Sequence, residues 1–175
     1  MANAEPWTIL KVLNWTAERF TSEGICSPRV DAEVLLATCL GLERIQLYAH
    51  FDQPMQEHEL LEFRGLVRRR LAREPVAYII GRRDFWSITL EVNREVLIPR
   101  PETELLVELA LELLPGQGAG RTVVDVGTGS GAVALAVKKD RPRAEVTAMD
   151  LSRGALDTAR RNADSLDLEI QLLLG

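Results

Sequence analysis

The chain predicts an α/β fold in which an N-terminal helical bundle runs through a β-hairpin linker into the first half of a parallel, doubly wound βαβ domain. Three observations carry this. Apolar residues recur at three-to-four spacing as far as Pro75. Residues 85–90 alternate and are rich in aromatic and β-branched types. From Thr122 onward, apolar strands alternate with amphipathic helices across a glycine-rich turn. The domains expected are residues 1–75, a linker over 76–100, and a partial ligand-binding domain over 101–175.

Each element has a local reason. Ile9, Leu10, Leu13, Ala17 and Phe20 form one helical stripe ending near Gly24. Ser27-Pro28 supplies an N-cap and a first-turn proline for a second helix, and Gly41 stops it. Glu43 to His50 predicts a short third helix, and Met55 to Arg73 a longer fourth, closed by Pro75. A hairpin is expected over about residues 84–98, with Asn93 marking a turn. Ile98-Pro99-Arg100-Pro101 is extended, because each proline disfavours helical geometry in the residue before it. Pro101 then opens a helix whose positive end faces Glu102 and Glu104, with Leu105 to Leu114 carrying it onward. Beyond the loop at 115–120, strands are expected at Thr122–Val126, Ala144–Met149 and Leu168–Leu174, with helices at Ala132–Lys138 and Ala155–Ala163.

Composition narrows the function classes. A chain that is 46% hydrophobic and 27% charged can bury a core and is too apolar to stay disordered. Its net charge of −5 argues against general nucleic-acid binding. The start, Met1 to Pro6, lacks a basic region followed by an apolar one, and the apolar stretch from Glu104 to Leu114 is too short to span a bilayer. A cytoplasmic protein without membrane contact is expected. Cys26 and Cys39 read as reduced, half-buried helix residues, and His50 and His58 lack metal-ligand spacing, so no metal site is expected.

The chemistry concentrates in Val123-Val124-Asp125-Val126-Gly127-Thr128-Gly129-Ser130-Gly131. Gly127 permits the tight turn out of the strand, Gly129 lets backbone approach a ligand without a Cβ, and Gly131 allows close helix–strand packing. Asp150, at the end of the second strand, can accept hydrogen bonds from both hydroxyls of a ribose. Together these features predict an adenosine-containing ligand, either a nicotinamide dinucleotide or S-adenosylmethionine. Dinucleotide turns read G-x-G-x-x-G, whereas here the third glycine comes one residue early and Ala132 takes its place. Asp125 is not needed by a pyrophosphate, which wants positive potential, but suits an ammonium and a sulfonium. D-x-G-x-G-x-G resembles the first motif of Rossmann-like class I methyltransferases, whose acid lies near the methionine end of the cofactor.

Glu74-Pro75-Val76-Ala77-Tyr78-Ile79-Ile80-Gly81, then Phe85-Trp86, then Val96 to Glu104 with its Ile-Pro-Arg-Pro-Glu-Thr-Glu block, resemble the HemK/PrmC family along essentially the whole chain. The resemblance implies methylation of the glutamine in the Gly-Gly-Gln loop of peptide chain release factors, a protein methylation serving translation termination, by an enzyme that is monomeric at full length. It also implies that Gly127, Thr128, Gly129, Ser130, Gly131 and Asp150 contact S-adenosylmethionine, and that Arg100, Pro101, Glu102 and Thr103 lie near the active-site cleft. For Glu102 and Glu104, complementing the helix dipole is an equal alternative.

The family holds its substrate amide with Asn-Pro-Pro-Tyr, a tetrapeptide that does not occur here. An amide nitrogen is a poor nucleophile, since its lone pair is delocalised into the carbonyl, and in-line attack on the sulfonium methyl demands alignment. These 175 residues are therefore expected not to methylate by themselves. The family's strand order further implies that the first parallel strand is left as an apolar edge. Residues 1–75 are expected to be the more protected unit and 121–175 the looser one.

Arg64, Arg68, Arg69, Arg70 and Arg73 cluster on the fourth helix, with Arg82 and Arg83 following. They read as a solvated face paired with Glu62 and Glu74, or as a docking surface for an acidic partner such as a release factor. Two rivals stand beside the methyltransferase: a non-catalytic release-factor-binding fragment and an NAD-dependent oxidoreductase.

Overall fold

The computed structural model describes residues 6–175, which divide into two units with the boundary between Ile80 and Gly81. Residues 1–5, on which the reading of the N-terminus rests, lie outside the described residues.

The first unit is helical. α1 (Ile9–Ser22) is capped by Thr8, whose hydroxyl oxygen accepts the Lys11 N–H. Ser27 precedes α2 (Pro28–Leu40) as expected, though its side chain makes no capping bond, and Gly41 ends the helix at φ +63°. α3 (Arg44–Ala49) and α4 (Glu57–Leu71) each begin with a capping box, Glu43 with Gln46 and Gln56 with Glu59. Their apolar stripes meet in one core in which Leu13, Phe20, Leu35, Leu36 and Leu47 are fully buried.

Residues 76–80, expected in the linker, instead form a short helix, α5 (Val76–Ile80). Pro75 cannot continue α4, but its carbonyl accepts the N–H groups of Tyr78 and Ile79 and so starts a new turn. Ile79 is thereby buried in the helical core, a tertiary gain that overrides the β preference of Val76 and Ile80.

The second unit opens with a hairpin, β1 (Arg82–Phe85) and β2 (Ile88–Glu91), that is shorter than expected and turns at Trp86-Ser87 rather than Asn93. Trp86 adopts φ +53°, uncommon for a large L-residue. Tertiary bonds hold it there: its N–H donates to Glu104 Oε1 at 2.9 Å and its indole Nε1–H to Asp140 Oδ2 at 2.8 Å. Asn93 instead donates to Thr158 Oγ1 and accepts the Glu95 N–H.

A 3-10 turn, Pro101–Thr103, leads into α6 (Glu104–Leu113). β3 (Thr122–Val126), α7 (Ala132–Asp140), β4 (Glu145–Asp150), α8 (Arg153–Leu166) and β5 (Gln171–Leu174) follow in the expected alternation. The strands pair in parallel in the order β3-β4-β5. One sheet face, carrying Val146 and Ala148, is buried. On the other face Val124 is 54% and Val126 74% exposed, and β3 is an edge strand, as the resemblance implies. Among the described residues no helix is long and apolar enough to cross a membrane.

Cys26 differs from the reading above. It is exposed and precedes α2 rather than lying on it, while Cys39 is half-buried and its thiol is pushed up to about 11 by burial.

Candidate functional site

β3 and β4 end side by side, with Val126 opposite Met149, so the glycine turn after β3 lies against the tip of β4. The Met149 carbonyl accepts the N–H groups of both Gly127 and Thr128, at 2.9 and 3.0 Å. Gly127, Gly129 and Gly131 all take positive φ, at +77°, +57° and +83°. A Cβ at Gly127 or Gly129 would meet only open space, so these two demand glycine for backbone geometry and leave a side-chain-free face. At Gly131 a Cβ would lie 3.0 Å from Leu135 Cδ1 and 3.3 Å from Ala159 Cβ. The close approach there is between the turn and helices α7 and α8, not between helix and strand as expected.

Two carboxylates flank the turn. Asp125 Oδ2 accepts the Thr128 hydroxyl at 2.7 Å and the Ala134 N–H at 3.2 Å. The carboxylate therefore occupies the positive end of α7, where a pyrophosphate would otherwise bind. Asp150 Oδ2 accepts the Gly129 N–H and Oδ1 the Ser152 N–H, each at 2.9 Å. A carboxylate has roughly four lone-pair sites, so Asp150 keeps acceptor capacity on both oxygens.

Chemically, this donor set suits a cationic ligand better than a diphosphate. The N–H groups of Gly127, Thr128, Gly129, Gly131 and Ala134 are all engaged within the chain. A diphosphate needs such groups free and meets carboxylates instead. An adenosyl group with a cationic methionine tail fits the chemistry present: two anions beside a bend free of side chains.

Thr128 and Ser130 are both buried, so of the seven residues expected to bind cofactor, the structure brings all into one turn or its rim. Arg100, Pro101 and Glu102 are exposed and Thr103 half-buried on the 3-10 turn before α6. Among the described residues no side-chain hydrogen bond joins Arg100 or Glu102 to the glycine turn, whereas Glu104 holds the tip of the hairpin.

Asn162 was not anticipated. It is 1% exposed on α8, and its Nδ2 donates to the carbonyls of Ser130, at 2.8 Å, and Glu91, at 3.0 Å, while its Oδ1 accepts the Glu91 N–H at 2.6 Å. It thus fastens the glycine turn to the end of β2. The available signal was an amide at a core position of an amphipathic helix. Beside it, Arg161 forms a two-pronged pair with Glu91, whose hydrogen bonds hold the Glu91 carboxyl below its usual range.

Two family models match: the PrmC N-terminal domain over residues 11–81 and the methyltransferase small domain over residues 102–174. The release factor glutamine methyltransferase of Rhodopirellula baltica is 46% identical over 99% of this chain and 60% of its own length. That of Geobacter sulfurreducens is 43% identical over 98% of this chain and 59% of its own. The chain thus spans about 60% of the length of these relatives. Among solved structures, the tRNA (uracil-54, C5)-methyltransferase of Pyrococcus abyssi matches with a TM-score of 0.44 and 18% identity, over 54% of this chain and 23% of that one. With both modules matched in order and nearly every residue aligned, the chain belongs to the PrmC/HemK family of release factor glutamine methyltransferases.

Proposed function

We propose that this chain binds S-adenosylmethionine at the turn 125–131 and Asp150, and that the full-length protein methylates the glutamine side-chain amide in the Gly-Gly-Gln motif of release factors in the cytoplasm. The observation that carries the cofactor reading is Asp125 lying on the N-terminus of α7, which leaves an anion-repelling turn beside the Asp150 carboxylate. The bound cofactor supplies an electrophilic methyl on a positively charged sulfur. Asp150 would fix the ribose through its remaining lone pairs, Asp125 would face the cationic methionine end, and Gly127 and Gly129 would let the ligand lie against backbone. Residues 1–75, with α5 packed against them, would serve substrate recognition, the rest of 76–100 would act as linker, and Arg100 to Thr103 would border the cleft.

Because Asn-Pro-Pro-Tyr does not occur in these residues, the chain alone is proposed to bind without turnover, as a release-factor-binding fragment would. Titration calorimetry with S-adenosylmethionine and with NAD tests the ligand, and radiolabelled methyl transfer to a Gly-Gly-Gln substrate tests the chemistry. Binding of NAD alone defeats the cofactor reading, and turnover by the 175 residues defeats the proposal of inactivity.

A further inference from the structure

The helical unit holds a cavity of about 290 Å³ between α1 and α4, whereas the glycine turn belongs to the other unit. Val12, Phe63, Val67 and Leu71 line it, with Trp7 and Trp15 at 46% and 52% exposure. Thr16 is fully buried in its wall, and its hydroxyl has no hydrogen-bond partner among the described residues.

Charge decides what could fill the cavity. The four arginines of α4, and Arg73 just beyond its end, are not equivalent. Arg69 pairs with Glu74 at 2.8 Å, Arg70 with Asp31 at 2.8 Å, and Arg73 donates to the carbonyls of Glu23 and Gly24. Those three hold the unit together. Arg64 and Arg68 line the cavity, are exposed, and have no side-chain partner among the described residues. They lie one helical turn apart, where like charges repel, and no described residue supplies them an anion. Half-exposed tryptophans around an apolar pocket, with unpaired arginines on its rim, are the composition of a protein-binding hot spot.

We propose that this cavity is a docking site for an acidic protein segment that inserts one aliphatic or aromatic side chain between α1 and α4 and sets its carboxylates on Arg64 and Arg68. This goes beyond methyl transfer and does not depend on it. Of the arginine cluster read from the sequence as a docking surface, Arg69, Arg70 and Arg73 are engaged internally, and the proposal rests on Arg64 and Arg68.

The test uses the 175-residue chain and a short acetylated helical peptide of glutamate, alanine and leucine with one central phenylalanine. The indole N–H signals of Trp7 and Trp15 should shift on titration, with that of Trp86, in the other unit, unmoved. The double variant Arg64→Glu, Arg68→Glu should weaken binding at least about tenfold, and so should Trp15→Ala. Both sites are exposed, and circular dichroism verifies that each variant is folded. Replacing the peptide's phenylalanine by serine, or its glutamates by lysine, should abolish the shifts. The proposal is overturned if the acidic peptide leaves both signals unmoved, if the charge-reversed variant binds it equally well, or if the lysine peptide binds as tightly. It is also overturned if sodium decanoate displaces the peptide from the same site, since the cavity would then be one for amphiphiles.

Discussion

The carboxylate of Asp150 accepts the backbone N–H of Gly129 at 2.9 Å, so the tip of β4 holds the glycine turn in place before any ligand arrives. Position and preorganisation are thus supplied by the same side chain that would take the ribose.

Replacing Asp150 by alanine should therefore weaken S-adenosylmethionine binding by roughly 10- to 100-fold, the worth of one or two hydrogen bonds to a charged group. Calorimetry on the variant measures this. Unchanged affinity would remove Asp150 from the site.

Gly131 and Gly129 should respond differently to alanine. Both need left-handed backbone, which costs about 1–2 kcal/mol in an L-residue. Only at Gly131 does the added methyl also press on Leu135 and on Ala159 Cβ, which cannot rotate away. Urea unfolding should place Gly131→Ala at least about 1 kcal/mol below Gly129→Ala. The reverse order would contradict the packing described.

Asn162→Leu should destabilise the second unit by about 3 kcal/mol, because it strands the Ser130 carbonyl and both backbone groups of Glu91. Chemical denaturation followed by Trp86 fluorescence reports it. A loss under about 0.5 kcal/mol, the level of an ordinary surface change, would mean those bonds contribute nothing.

Glu33 makes the helical unit acid-sensitive. It is buried, and burial by itself would push its carboxyl up, but hydrogen bonds from Tyr48, Arg44 and Arg29 together outweigh this and hold it below the ordinary 4.5. A depressed native value contributes stability that is complete above the unfolded value and lost as pH falls through the native one. The melting temperature should hold above about pH 5 and fall steadily below it. Glu33→Gln should flatten that decline and cost roughly 2 kcal/mol at neutral pH, less than a fully buried pair because Arg29 and Arg44 are part-exposed.

Amide hydrogen exchange should find the slowest amides in α1 and α2 and faster exchange across residues 121–175, where β3 is unpaired on one side and Val124 and Val126 face solvent. Strongest protection in β3 or β4 would reverse that ranking.

What could be read from the sequence was what a few neighbouring residues settle. Pro28 and Gly41 bounded α2, and alternating apolar segments predicted the parallel strands; the spacing of Asp125, the three glycines and Asp150 located the candidate site. Capping, left-handed turns and hydrophobic period are local properties of the chain, and they carry through to the folded state. Tertiary structure alone decided that residues 76–80 coil into a helix, that Trp86 turns the hairpin, that Asn162 braces the glycine turn, and that Arg64 and Arg68 find no side-chain partner among the described residues. The bonds of Asn162 and Trp86 depend on partners far away in sequence: Glu91 lies 71 residues from Asn162, and Asp140 lies 54 from Trp86. The free energy of such contacts exists only once burial has brought both groups together, so no local pattern can encode it.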